Sequence, residues 1–133
     1  MRRVRTVAVS CAGAAAVVLL VAAALPSALD KTSPGLWELS GMPNAGTAFR
    51  QCVADTAALA RVEHRGHSCT QVVIKDNPTW TEIHYTCPNG GFGRTKLTVL
   101  TPRSLRIETQ GISASYPFNY TIQARRIGDC GAH

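Results

Sequence analysis

Two imidazoles and a thiol stand close together in His64-x-x-His67-x-Cys69, a donor set that suits zinc. A second pair, Glu82 and His84, lies two residues apart. On a strand that spacing puts both side chains on one face, where a carboxylate and an imidazole can share acid–base work. Cysteines at 52, 69, 87 and 130 could be metal ligands, nucleophiles or disulfides. Ser68, Ser104, Ser113 and Ser115 lack the strand-to-helix context of a nucleophile elbow. Asn89-Gly90-Gly91-Phe92-Gly93 is glycine-rich, but it opens no helix that could cradle a phosphate. It reads as a turn with positive φ angles.

The compartment decides between these chemistries. Arg2, Arg3 and Arg5 precede an uncharged Ala/Val/Leu-rich run from Thr6 to Leu25. This is the charged start and apolar middle of a secretory signal, residues 1–24, with an Ala-x-Ala cleavage pattern ending at Ala24. Cleavage after Ala28 is the alternative, disfavoured by Pro26 three positions back. The run is near the ~20 residues that span a bilayer, so an uncleaved N-terminal anchor is the other alternative, and a membrane is a partner only in that case. An exported chain meets an oxidising periplasm or exterior, where its cysteines pair. Cys69 is then withdrawn from the zinc set, and His64 and His67 read as exposed histidines flanking Arg65 at a helix end. No metal or other cofactor is expected. Three of the fourteen Lys and Arg fall in the signal, leaving eleven bases against all eight acids, a net of +3. That modest excess, without helix-turn-helix or zinc-finger spacing, gives no reason to expect nucleic acid.

The elements that must position these groups read as one small β domain over residues 35–130, after a tether at 25–34 and before a tail at 131–133. Gly35–Ser40 and Ala48–Val53 have strand character around a turn at Met42–Gly46. The single helix expected runs over Thr56–His64, with Asp55 as its N-cap and Gly66 beyond its end. Strands follow at Cys69–Lys75, Trp80–Cys87, Gly93–Leu100, Ser104–Thr109 and Phe118–Arg125, the last after a looser loop containing Gly111 and Pro117. The expected fold is all-β with one short α-helix: an antiparallel meander, curled into a half-barrel or sandwich and held by two disulfides.

Register sharpens this, because paired residues must agree in face across every hairpin. Setting Asp76 opposite Trp80 puts Val73 against Ile83, Gln71 against Tyr85 and Cys69 against Cys87. Setting Cys87 opposite Gly93, Leu100 opposite Ser104 and Ile107 opposite Tyr120 completes the sheet. One face then collects Val73, Ile83, Tyr85, Leu97, Val99, Leu105, Ile107, Phe118, Tyr120 and Ile122 as the core. Gln71 and Lys75 break the pattern, which places that strand at an edge or under a bulge. The other face carries Arg94, Lys96, Arg106 and Arg125, with Glu82 and Glu108 interleaved. Val72, Ile74 and Trp80 share it and are expected to lie under the N-terminal strands or the helix. Directly opposed residues on neighbouring strands have Cα atoms about 4.5–5.5 Å apart, within the range a disulfide accepts. Cys69–Cys87 is therefore the natural bridge, and Cys52–Cys130 remains. Trp37, Phe49, Phe92 and Tyr116 are not needed for this register; they either line the mouth of a cupped sheet as an apolar ligand site or finish the core.

Pro34-Gly35-Leu36-Trp37-Glu38 resembles the P-G-x-W-E opening of a family of small exported bacterial proteins, domain-of-unknown-function family 3617. Cys52-Val53-Ala54-Asp55 and its Ala-rich sequel resemble that family's first-cysteine segment. Cys69, Cys87 and Arg125-Arg126-Ile127-Gly128-Asp129-Cys130 resemble its remaining cysteines and its R-x-G-x-C close. The segment between Cys52 and Cys69 departs from the family in lacking a Pro beside the cysteine and gaining two histidines. The resemblance implies a periplasmic β-rich domain and no activity.

The function expected from all this is a non-catalytic binding or envelope-associated role. The ligand is a small apolar molecule in the cup, or an anionic envelope component on the Arg/Lys face. A metal protein or enzyme using His64, His67 or His84 is the first alternative. An inhibitor or assembly partner acting through exposed loops is the second.

Overall fold

The computed structural model describes residues 10–18, 25–43 and 46–131. Arg2, Arg3, Arg5, Ala24 and part of the Met42–Gly46 turn lie outside the described residues. Seven strands form one antiparallel sheet: β1 (Gly35–Ser40), β2 (Phe49–Val53), β3 (Thr70–Asp76), β4 (Trp80–Thr86), β5 (Phe92–Thr101), β6 (Ser104–Ser113) and β7 (Tyr116–Gly128). Their order across the sheet is β2-β1-β7-β6-β5-β4-β3. The sheet stays open, with β2 and β3 as its edges.

One face is packed. Trp37, Leu39, Ile83, Leu97, Leu105, Ile107, Ile122 and Ala124 meet Leu59, Ala60 and Val62 there. These last three come from a helical segment at Thr56–His64 whose Asp55 side chain accepts from the Ala57 amide. The segment falls where the sequence places a helix, but it winds as 3-10 and is broken at Arg61 (φ −114°, ψ 37°). It follows the curve of the sheet below it, and Gln71 Nε2 and Thr95 Oγ1 donate to its Ala57 and Ala60 carbonyls. The expected tether is part of the domain. Ser27–Lys31 forms a second 3-10 helix with Ala28 and Leu29 fully buried, and Thr32 Oγ1 donates to the Leu29 carbonyl at 2.6 Å while accepting from Thr56 Oγ1 at 2.9 Å.

Outside two bulges, the register agrees in face at every hairpin. β5 and β6 pair as read from Leu97–Ile107 to Val99–Leu105, after which a bulge sets Ser104 opposite Thr101 instead of Leu100. β3 and β4 pair as read up to Val73–Ile83, after which a bulge intervenes and Asp76 meets Thr81 instead of Trp80. Two hairpins slide by two residues: Tyr85 meets Gly93 instead of Thr95, and Ile107 meets Ile122 instead of Tyr120. A two-residue slide keeps every side chain on its face, so hydrophobic pattern alone cannot detect it. Val73 is a true correction: expected in the core, it is 46% exposed, because β3 is an edge of the sheet and it is Gln71, not Val73, that bonds to the helical segment. Val72 and Ile74 are exposed as well, not covered. The loop expected before β7 is instead a two-residue turn, Ala114-Ser115, with positive φ at both residues (49° and 69°), the geometry that suits hairpin twist. Pro117 is tolerated inside β7 because β1 pairs with β7 only from Gln123 onward. That flank of Pro117 has no neighbouring strand asking for an N–H.

Both expected disulfides are present, Cys52–Cys130 and Cys69–Cys87, with Cα–Cα separations of 5.6 and 4.2 Å. Cys11 is free and exposed. No helix among the described residues is long and apolar enough to cross a membrane.

Candidate functional site

The unpacked face is organised in cross-strand rows. Thr86, Phe92, Ile112 and Pro117 form one, and His84, Arg94, Gln110 and Asn119 the next. Glu82, Lys96, Glu108 and Thr121 form a third. Rows are two residues apart along the strands, so each is about 7 Å from the next. Between the first two rows the strands carry Gly93 opposite Gly111. An open cavity of about 580 Å³ lies over these two rows, lined by Phe92, Ile112 and Pro117 at its apolar end and His84, Arg94, Gln110 and Asn119 at its polar end. A polar cavity of about 430 Å³ adjoins it over the third row, sharing Arg94, Gln110 and Asn119. Together they make a trough running from apolar to charged. It lies beside the part of β7 that β1 does not reach.

The charges in the trough are balanced. Arg94 Nε stands 2.5 Å from Glu82 Oε1, close enough for an ion pair though off the line of a regular hydrogen bond. This contact holds the Glu82 carboxyl below its ordinary range against the opposing effect of burial. His84 Nε2 is 3.7 Å from the same oxygen, too far for a hydrogen bond, so the Glu82–His84 pair read from the sequence is subordinate to Arg94. Lys96 lies over the Trp80 ring, 4.7 Å from its centroid. Arg106 stands 3.7 Å from Glu108, and Arg125 and Arg50 both approach Glu38. Arg94, Lys96, Arg106 and Arg125 thus share one face, as expected, but three of the four face a carboxylate and the stripe is not a bare cationic surface.

The four candidate aromatic residues do not meet. Trp37 is fully buried, its Nε1 donating to the Ser33 carbonyl at 3.2 Å. Phe49 packs on the core under the Arg65 guanidinium. Tyr116 is exposed beside the β6–β7 turn. Phe92 alone lines the trough.

The packed face holds a polar cluster that the sequence did not disclose. His64 is buried and its Nδ1 is 2.9 Å from the Tyr85 hydroxyl. Tyr120 donates to Glu63 Oε2 at 2.5 Å. Burial pushes the Tyr85 and Tyr120 hydroxyls well above their ordinary range, and the Glu63 charge adds to this. Burial also lowers the His64 pKa, and His67 lowers it further; Glu63 and the Ile112 backbone oppose them. A neutral His64 accepting from Tyr85 carries its proton on Nε2, which has no partner of regular geometry and faces Gly91. A Cβ at Gly91 would overlap this ring, and one at Gly93 would overlap Tyr85. The glycine run therefore makes room for two buried rings, besides the positive-φ turn at Gly90 (φ 82°). Glycines paired across from aromatic positions were the available signal. The zinc set does not assemble: Cys69 is disulfide-bonded, His64 is engaged by Tyr85, and His67 is exposed. Among the described residues no group of three His, Cys, Asp or Glu side chains converges.

The terminal motifs meet at the opposite corner of the sheet. Arg126 donates from Nε to the Pro34 carbonyl at 2.9 Å and pairs with Asp129, lying where any side chain at Gly35 would collide with it. Glu38 takes Arg125 and Arg50, and Cys130 closes on Cys52. A model of the family described as "Protein of unknown function (DUF3617)" matches residues 32–130. The chain belongs to this family. No curated protein and no solved structure matches it. The DUF3617-like opening and close are thus spent on fastening β1 to β7, not on lining a cavity.

Proposed function

We propose that this DUF3617 member is an exported, non-catalytic binding protein that holds a small amphiphilic ligand in the trough. The observation that carries the reading is the junction of an apolar row, Phe92, Ile112 and Pro117, with a hydrogen-bonding row, His84, Arg94, Gln110 and Asn119, over one cavity. Apolar walls with a few convergent polar groups are what small-molecule sites offer. The balanced charges favour a zwitterionic or hydroxyl-rich head over a simple anion, because Glu82 and Glu108 would repel the latter. The test is titration of isotope-labelled mature protein with dodecylphosphocholine, octyl glucoside and laurate below their micelle thresholds. Amide shifts confined to residues 84, 92–94, 110–112 and 117–119, strongest with the first two probes, support the reading. Shifts absent from that set with all three probes refute it.

Export is part of the proposal. Two disulfides support an oxidising compartment. The first 3-10 helix bears on the cleavage point. Ala28 is buried, and the Ser27 amide and hydroxyl both donate to Asp76 Oδ2 at 2.9 Å. Cleavage after Ala28 would delete both features, so removal of residues 1–24 is the reading they favour. N-terminal sequencing of the exported protein should begin at Leu25; a start at Leu29, or an intact Met1, would refute this processing.

A further inference from the structure

A third cavity lies where β1 no longer covers β7. It has a volume of about 340 Å³ and opens between β7 and the end of the helical segment, with Pro43, Glu63, Pro117, Phe118, Asn119 and Tyr120 as its walls. Glu63 is the unusual member. Of the four glutamates, three face an arginine: Glu38 meets Arg50 and Arg125, Glu82 meets Arg94, and Glu108 meets Arg106. Among the described residues no Lys, Arg or His forms an ion pair with Glu63. The basic residues beside it in the chain are turned elsewhere. Arg61 donates to the His67 carbonyl, and His64 Nδ1 faces the Tyr85 hydroxyl. The Arg65 charge is felt at Tyr120, but its guanidinium covers the Phe49 ring and donates to the Val62 carbonyl. A half-buried carboxylate without a counter-ion keeps part of its desolvation cost uncompensated.

We infer that this cavity binds a guanidinium group carried on an apolar stem. Tyr120 donates to Glu63 Oε2 at 2.5 Å, which orients the carboxylate and uses one of its roughly four lone-pair sites. The forked N–H groups of a guanidinium take the others. The Phe118 and Tyr120 rings, with centroids 5.8 Å apart and planes inclined by 43°, supply π surface for a flat cation. Pro43 and Pro117 give the stem apolar contact. A primary ammonium has the donors without the flat face, and a quaternary ammonium has no N–H at all. Glu63 repels an anion. A free alkylguanidine and an arginine side chain of another polypeptide share this chemistry. Pro117, Phe118 and Asn119 border both this cavity and the trough, but the inference uses none of His84, Phe92, Arg94 or Ile112 and stands whether or not the trough is a ligand site.

The test is titration of isotope-labelled, oxidised mature protein with n-butylguanidinium at constant ionic strength, followed by NMR at the Glu63 carboxyl and the Tyr120 ring and amide. Saturable shifts are expected there, while residues 84, 92–94 and 110–112 stay unmoved. N-butylurea, a neutral planar isostere, should bind at least about tenfold more weakly. n-Butylammonium and tetramethylammonium should both bind more weakly than the guanidinium. Glu63→Gln keeps an oxygen for Tyr120 and should also weaken binding at least about tenfold, with unchanged melting showing that the fold is intact. Phe118→Leu should weaken it about threefold. An alanine–arginine–alanine tripeptide with blocked ends separates the two sources. Tighter binding than n-butylguanidinium assigns the site to an arginine of a polypeptide, and equal or weaker binding assigns it to a small guanidine. No shift at Glu63 and Tyr120, shifts confined to the trough, equal binding of N-butylurea, or binding indifferent to Glu63→Gln would overturn the inference.

Discussion

The two edges of this sheet are finished in opposite ways. At the β2 edge, Cys52 is bonded to Cys130, Arg50 reaches Glu38, and Val53 is buried under the helix. The neighbouring strand β1 contributes Trp37 and Leu39, both fully buried. At the β3 edge the disulfide sits at the strand's beginning, and most of the strand's side chains face solvent on both sides. Apolar sequence alone does not distinguish the edges, since β2 and β3 each carry three apolar residues. What distinguishes them is the kind of contact each receives: Val53 of β2 is buried in the core, whereas β3 meets the two 3-10 helices through the polar side chains of Gln71 and Asp76. Apolar burial is concentrated on one flank and left thin on the other.

The largest test of that contrast is the pair of disulfides. Cys52–Cys130 spans 78 residues and Cys69–Cys87 spans 18. Loop-closure entropy assigns them about 4–5 and about 3 kcal/mol. Replacing each pair by serine and measuring denaturant unfolding should show the larger loss at the β2 edge; equal losses would break the comparison. Truncation comes next. Trp37→Ala in β1 should remove about 3–5 kcal/mol, whereas Val73→Ala in β3 should stay within about 0.5 kcal/mol.

Smaller effects sharpen the picture between the edges. Arg94→Met leaves the nearly buried Glu82 without its ion-pair partner and should destabilise by about 1–3 kcal/mol, with the apparent Glu82 pKa rising in a carboxyl NMR titration. Replacing Ala114-Ser115 by Asn-Gly should stabilise by about 1–2 kcal/mol, because two non-glycine residues occupy left-handed conformations there. The smallest effect is the pH dependence of the buried cluster. The folded pKa of His64 lies below its ordinary 6.5. Its contribution is therefore intact above pH ~6.5 and lost as pH falls from there toward the folded pKa, because the unfolded chain binds the proton first. The melting temperature should fall over that window, and His64→Gln should flatten the slope.

Much of the fold was legible because it rests on local rules. The face of each strand follows from alternation, the helix position from Asp55 and the Ala-rich run, the Cys69–Cys87 bridge from register and Cys52–Cys130 from the two cysteines that remain. The trough was partly legible: Arg94, Phe92 and His84 were candidates, the first for its charge, the second for its ring and the third for its imidazole. Ile112, Pro117 and Asn119 were not singled out, since the β6–β7 turn at Ala114-Ser115 carries neither Asn nor Gly and reads as loop. Once those two residues take positive φ, β6 and β7 extend past it and bring the apolar row together.

The sequence by itself determined the alternation, the Cys69–Cys87 pairing and hence an all-β domain, because these depend only on the two-residue period of a strand and the short reach of a disulfide. Only the tertiary structure decided which two-residue slide each hairpin takes, which edge is covered, and which rings share a cavity. Those choices depend on how a curved sheet packs against one broken helix and a buried N-terminal turn, and a slide of two residues leaves no mark in the pattern of apolar and polar positions.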